Sequence, residues 1–131
     1  MIAISTLGRQ WMSGKSADAW DYVTELETDN GVFEFDTPVA IDGDTILVGQ
    51  PQDNRVFVFS RNEGGENNWG QVTTLSNPGG FFLDAFGGAL AVAGDTIVVS
   101  APGGDIINYV GHVYVFARNQ GGENNWDLLR P

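Results

Sequence analysis

The feature that most constrains this 131-residue chain is that it repeats itself. The stretch PVAIDGDTILVGQP (Pro38 to Pro51) recurs as ALAVAGDTIVVSAP (Ala89 to Pro102), with seven of fourteen positions identical at an offset of 51. The stretch RVFVFSRNEGGENNW (Arg55 to Trp69) recurs as HVYVFARNQGGENNW (His112 to Trp126), with eleven of fifteen identical at an offset of 57. The offset grows by six because the compact PQDNR of the first copy is replaced by the longer PGGDIINYVGH before His112. WDYVTEL from Trp20 echoes WGQVTTL from Trp69, and WDLLRP from Trp126 begins the same phrase. Two complete units, preceded by the tail of another, exclude an irregular single-copy fold.

Within a unit the apolar residues come in short bursts bounded by Gly, Asp, Asn and Pro, which is strand punctuation. Four strands are expected in the first unit: Pro38 to Ile41, Thr45 to Gly49, Arg55 to Ser60 and Trp69 to Leu75. Asp42-Gly43-Asp44 and Ala93-Gly94-Asp95 are hairpin turns, because glycine accepts the positive φ that a tight β-turn demands. Asn62 to Asn68 and Asn119 to Asn125 form a longer hairpin, read as a stiff, self-bonded loop in preference to a binding loop. No window sustains apolar residues at helical spacing, so almost no helix is expected.

A four-stranded antiparallel unit cannot bury both faces by itself, and radial repetition of such sheets is a β-propeller. Val56, Val58, Val113 and Val115 alternate with Phe57, Phe59, Tyr114 and Phe116, which makes both faces apolar, as a blade sandwiched between neighbours requires. The expected fold is therefore all-β: antiparallel four-stranded propeller blades, about two per chain plus one extra strand. The division is residues 1–32, an N-terminal segment carrying the outer strand of a preceding blade at 20–27; 33–76, a first blade; and 77–131, a second.

Phe86-Gly87 followed by Ser100-Ala101-Pro102, with the degenerate Phe35-Asp36 followed by Gly49-Gln50-Pro51, resembles the FG-GAP repeat of integrin α-subunit propellers and bacterial surface proteins. The phrase VYVFARNQGGENNW is similar to the bacterial branch. The resemblance implies six- or seven-bladed propellers, a non-enzymatic adhesion role and an extracellular or cell-surface location. It also implies a calcium loop, Asp-x-Asp-x-Asp-Gly, between the second and third strands of some blades. The first unit departs from it with Pro51-Gln52-Asp53-Asn54, too short to wrap a cation that takes six to eight oxygens, and the second offers only Asp105 and Asn108 as side-chain ligands. Calcium is thus a weak candidate and no other cofactor is expected.

Charge and composition narrow the function further. Seventeen acidic against six basic groups give a net charge of −11, a field that repels phosphate backbones and anionic lipid heads, so neither nucleic acid nor membrane is an expected partner. The absence of cysteine excludes thiolate chemistry and disulfides. The start MIAISTLGRQ lacks the layout of a secretory signal, and no apolar run spans a membrane. His112, the one histidine, stands where Arg55 stands in the other copy and is read as a solvated strand-end residue; no catalytic motif accompanies it. The acidic group Glu25, Glu27, Asp29, Glu34 and Asp36 is read as a solvated edge.

Trp20, Trp69 and Trp126 recur at one point of the repeat and are expected to be anchors against the neighbouring blade, together with Phe35, Phe86, Pro51 and Pro102. A sugar-stacking platform is the rival reading of the tryptophans, and a glycan-binding propeller the rival function. Two blades and a fraction cannot close a ring, so a homo-oligomer or polymer is expected, with Trp20, Val23 and Leu26 on the strand exchanged between copies.

Overall fold

A computed structural model describes residues 20–28, 37–103, 110–119 and 125–129. They form two four-stranded antiparallel sheets. The first runs β1 (Val39–Asp42), β2 (Thr45–Gln50), β3 (Arg55–Ser60) and β4 (Gly70–Ser76), and the second β5 (Leu90–Ala93), β6 (Thr96–Ala101), β7 (His112–Arg118) and β8 (Trp126–Leu128). Each sheet keeps its strands in chain order, so every connection is a hairpin. The strands expected in the first unit agree with those observed to within one residue at either end. Among the described residues the only helical element is a 3-10 turn at Pro51–Asp53.

The turns explain the register. Gly43 and Gly94 have φ of 54° and 56°, and a Cβ built on either meets nothing within 4 Å, so backbone conformation and not crowding selects glycine there. With two residues in the turn, Asp42 faces Thr45 and Ala93 faces Thr96, and every later pair follows from that start. Val58 faces Thr73 and Phe59 faces Gln71, which leaves Val72 as the extra residue of a bulge in β4.

The sheets stack face to face over one core. Leu47, Val56, Val58 and Leu75 of the first sheet meet Ile97, Val99, Phe116 and Trp126 of the second, with Phe86 from the connection between them. The other face of the first sheet carries Val48, Phe57 and Phe59, all buried, with Ile46 and Leu26 packed against them. The first sheet is thus covered where its aromatic β3 lies.

The valine face of the second sheet is open: Val113 is 66% exposed, whereas its counterpart Val56 is wholly buried at the joint. One expectation differs from the structure: the phrase from Trp20 to Glu27 is not a strand. The sheet of which it would be the fourth member is absent among the described residues, and without a neighbouring ladder its backbone has no reason to extend. Its Leu26 nevertheless packs on the first sheet.

Candidate functional site at the joint between the sheets

The joint is built from the short β2–β3 loop and the segment that leads from β4 to β5. Asn54 ends the 3-10 turn in left-handed conformation, φ 55° and ψ 45°, which its short polar side chain tolerates better than most residues. That conformation sends its amide across to the second sheet: Oδ1 accepts from Phe86 N–H at 2.8 Å and Nδ2 donates to the Phe82 carbonyl at 2.7 Å. Phe86, wholly buried, lies edge-on to Phe116 with ring centroids 6.1 Å apart and is tilted against Tyr114 at 6.0 Å.

Gly87 follows because nothing larger fits. Its φ is 98°, and a Cβ there would stand 2.9 Å from the Arg55 carbonyl oxygen. A Cβ on Gly49 would strike the Gly87 carbonyl in turn. Two backbones therefore cross at contact distance. Gly87 N–H donates to the Ser100 carbonyl, which ties this crossing to the Ser100-Ala101-Pro102 stretch. Beneath it the buried Asp84 accepts from Asn77 Nδ2 at 2.7 Å, while its carbonyl accepts from Gly103 N–H at 2.7 Å.

At the opposite end of the strands each sheet carries the same trio. Arg61 Nε donates to Asp44 Oδ1 at 2.7 Å and its guanidinium lies 5.1 Å from the centre of the Trp69 ring. Arg118 lies 4.8 Å from the centre of the Trp126 ring, with Nε 3.4 Å from Asp95 Oδ1. A planar cation over indole is attracted by the negative face of the ring. Arg118 does one thing more: its Nη2 donates to Thr45 Oγ1 of the first sheet at 3.0 Å. A cleft of about 480 Å³ opens here, lined by Asp44, Glu63, Gln71, Arg118 and Trp126 among others. Among the described residues the buried Gln71 Oε1 in its wall has no hydrogen-bond partner.

The residues singled out from the sequence are dispersed. Trp126 is buried, Trp69 half-buried and Trp20 98% exposed. Phe86 is in the core, Pro51 opens the 3-10 turn, and Pro102 is exposed with its ring against Gly88. Val23 is exposed and Leu26 half-buried. Phe35, Asp105 and Asn108 lie outside the described residues. His112 is exposed and stacks on Tyr114 at 5.9 Å. Among the described residues no three His, Cys, Asp or Glu side chains converge as a metal site. Sequence reasoning missed Asn54, the two arginines and Thr45. The signal for the arginines was present, since Asp44, Arg61 and Trp69 stand at the same places in the repeat as Asp95, Arg118 and Trp126.

Sheets of four antiparallel strands that repeat one another and stack face to face are propeller-type blades, although two of them do not close a ring. Residues 69–116 match the family model described as FG-GAP repeat. The matched stretch runs from the start of β4 to Phe116 in β7, so the unit of sequence is displaced by one strand from the unit of sheet. No curated protein and no solved structure matches the chain.

Proposed function

We propose that the protein is a non-enzymatic, extracellular or cell-surface module that works through protein–protein contacts and through assembly of its blades with further copies. The observation that carries this reading is the FG-GAP repeat match at 69–116, set beside a joint where Asn54 holds the backbone of Phe82 and Phe86 and where Asn77 pairs with Asp84. Asn54, Asp84 and Arg118 hold loops, turns and the neighbouring sheet, and such groups position a scaffold. The segment 20–28 takes part in assembly through Leu26, which lies on the first sheet where a preceding blade would sit.

The glycan-binding alternative draws less support. A sugar platform needs an open indole face, whereas Trp69 and Trp126 each lie beneath a guanidinium.

Sedimentation velocity tests the proposal. A defined oligomer or a fibre is the expected outcome, and a sharply melting monomer contradicts it. A change of tryptophan fluorescence on titration with sugars, with the mass unchanged, favours the alternative.

A further inference from the structure

The outward faces of the two sheets correspond by repeat to the two halves of the internal joint; on the first sheet the counterparts of Val99, Tyr114 and Phe116, which are Val48, Phe57 and Phe59, are already buried, and the β1 edge with Val39 and Ile41 is the part that stays open. On the first sheet the joint presents Leu47, Val56 and Val58, wholly or nearly wholly buried. Their counterparts in the repeat, Val98, Val113 and Val115, lie on the open face of the second sheet, because Val98 faces Val115 and Ser100 faces Val113 in the register. On the second sheet the joint presents Leu90 and Val92, half-buried against the shared core. Their counterparts Val39 and Ile41 are 68% and 64% exposed on the outward face of the first sheet.

Gly94 N–H donates to Asp42 Oδ2 across the internal joint at 2.6 Å, and a second polar bond crosses it at its Arg–Trp end, from Arg118 to Thr45. Its two repeat counterparts are Arg61, which faces outward from the first sheet, and Thr96, exposed on the second. Leu75, which belongs to the core of the joint, has its counterpart in Leu26, already packed against the cluster of Val48, Phe57 and Phe59.

We propose that the open valine face of the second sheet in one copy docks on the Val39 and Ile41 edge of the first sheet in a second copy, beside Leu26, with Arg61 of the second copy donating to Thr96 of the first. The contact repeats part of a joint that the chain already makes within itself: Val39 and Ile41 stand for Leu90 and Val92, and Arg61 and Thr96 for Arg118 and Thr45, whereas the acceptor Asp42 of the internal joint has Ala93 as its counterpart. It is head-to-tail. Copies therefore add in one direction and close if the rotation permits, about two to four copies supplying the roughly four to eight blades of a ring. The inference rests on the assembly reading above and names its surface.

The test is complementation. Val113→Asp spoils one face and Ile41→Asp the other, at positions exposed enough to leave the fold intact. Each variant is expected to be monomeric, with association weakened at least about a hundredfold by a charge placed in an apolar contact. Mixed in equal amounts they are expected to form a one-to-one dimer and nothing larger, since each retains the face that the other lacks. Thr96→Val, which preserves shape and removes the acceptor, is expected to weaken association about five- to tenfold. Val113→Thr and Ile41→Thr, which keep β-branching, repeat the test without added charge. If the parent chain assembles and these variants assemble equally well, the named surface is wrong and the assembly reading stands. A parent chain that stays monomeric overturns both.

Discussion

Asn54 Oδ1 accepts the Phe86 N–H at 2.8 Å while its Nδ2 donates to the Phe82 carbonyl at 2.7 Å, so one side chain of the β2–β3 loop fixes the connection that places Phe86 in the core between the two sheets. Replacement by glycine keeps the left-handed backbone and deletes both bonds. Asn54→Gly is expected to cost about 1–3 kcal/mol, and Asn54→Ala more, because alanine also resists that conformation. Urea unfolding of the two variants checks the order. Equal losses would mean that the backbone conformation contributes nothing, and no loss would mean that the clasp is incidental.

The glycines separate into those that turn and those that cross. Gly49→Ala drives a methyl into the Gly87 carbonyl and is expected to destabilise by about 2–3 kcal/mol, as overpacking of a tight contact does. Gly94→Asn sits in open space at φ 56°, which asparagine tolerates, and is expected to cost under about 1 kcal/mol. Thermal melts of the pair decide it, and a reversal of the order would show the crossing to be looser than it stands here.

Trp126 and Trp69 occupy one place in the repeat and different depths in the molecule. Trp126→Ala removes a buried indole from the joint and is expected to cost about 3–5 kcal/mol. Trp69 is half-buried on the outward side, and Trp69→Ala is expected to cost about half as much, the loss including the stacked Arg61. Comparable losses in a monomeric sample would refute the difference in burial.

The strands were legible because two independent signals agreed. The Gly-Asp-Thr turns set the hairpin register, and the Val-Phe-Val-Phe alternation set the faces, so β1 to β4 stand within one residue of their expected ends. The displaced loop length in the second copy did not obscure this, since an insertion between strands leaves their pairing intact. What pattern could not supply was which face is covered. Alternation makes Val56 and Val113 equivalent, yet one is buried and the other open, because coverage depends on what lies beyond the sheet. Nor could composition reveal Asn54 as a clasp. Its role comes from a single left-handed residue aiming an amide across 32 positions of sequence, and a short polar loop carries no periodic signal of such a bond.

Calcium removal is expected to change little. The loop Pro51-Gln52-Asp53-Asn54 folds on itself, with Gln50 Nε2 donating to Asp53 Oδ2 at 2.7 Å and Asn54 turned toward the second sheet. A cation that needs six to eight oxygens finds no such shell there, and the second loop offers Asp105 and Asn108 as its side-chain oxygens. Melting with and without a chelator checks this. A fall of many degrees on chelation would contradict it and direct attention to the loop between Gly103 and Gly111.

Ionic strength should tighten association between copies. The chain carries a net charge of −11, so two copies repel, and that repulsion reaches across a Debye length of about 30 Å at 0.01 M salt but only about 8 Å at 0.15 M. The contact itself gives up little in return, for it consists of Val39 and Ile41 against the valine face, with one bond from Arg61 to an uncharged threonine hydroxyl. Screening therefore removes repulsion without removing attraction. Sedimentation equilibrium over this salt range is expected to show larger average mass as salt rises. A decrease would mean that ion pairs hold the copies together, and the acidic side chains Asp44 and Asp95 beside the two arginines would then be the groups to substitute.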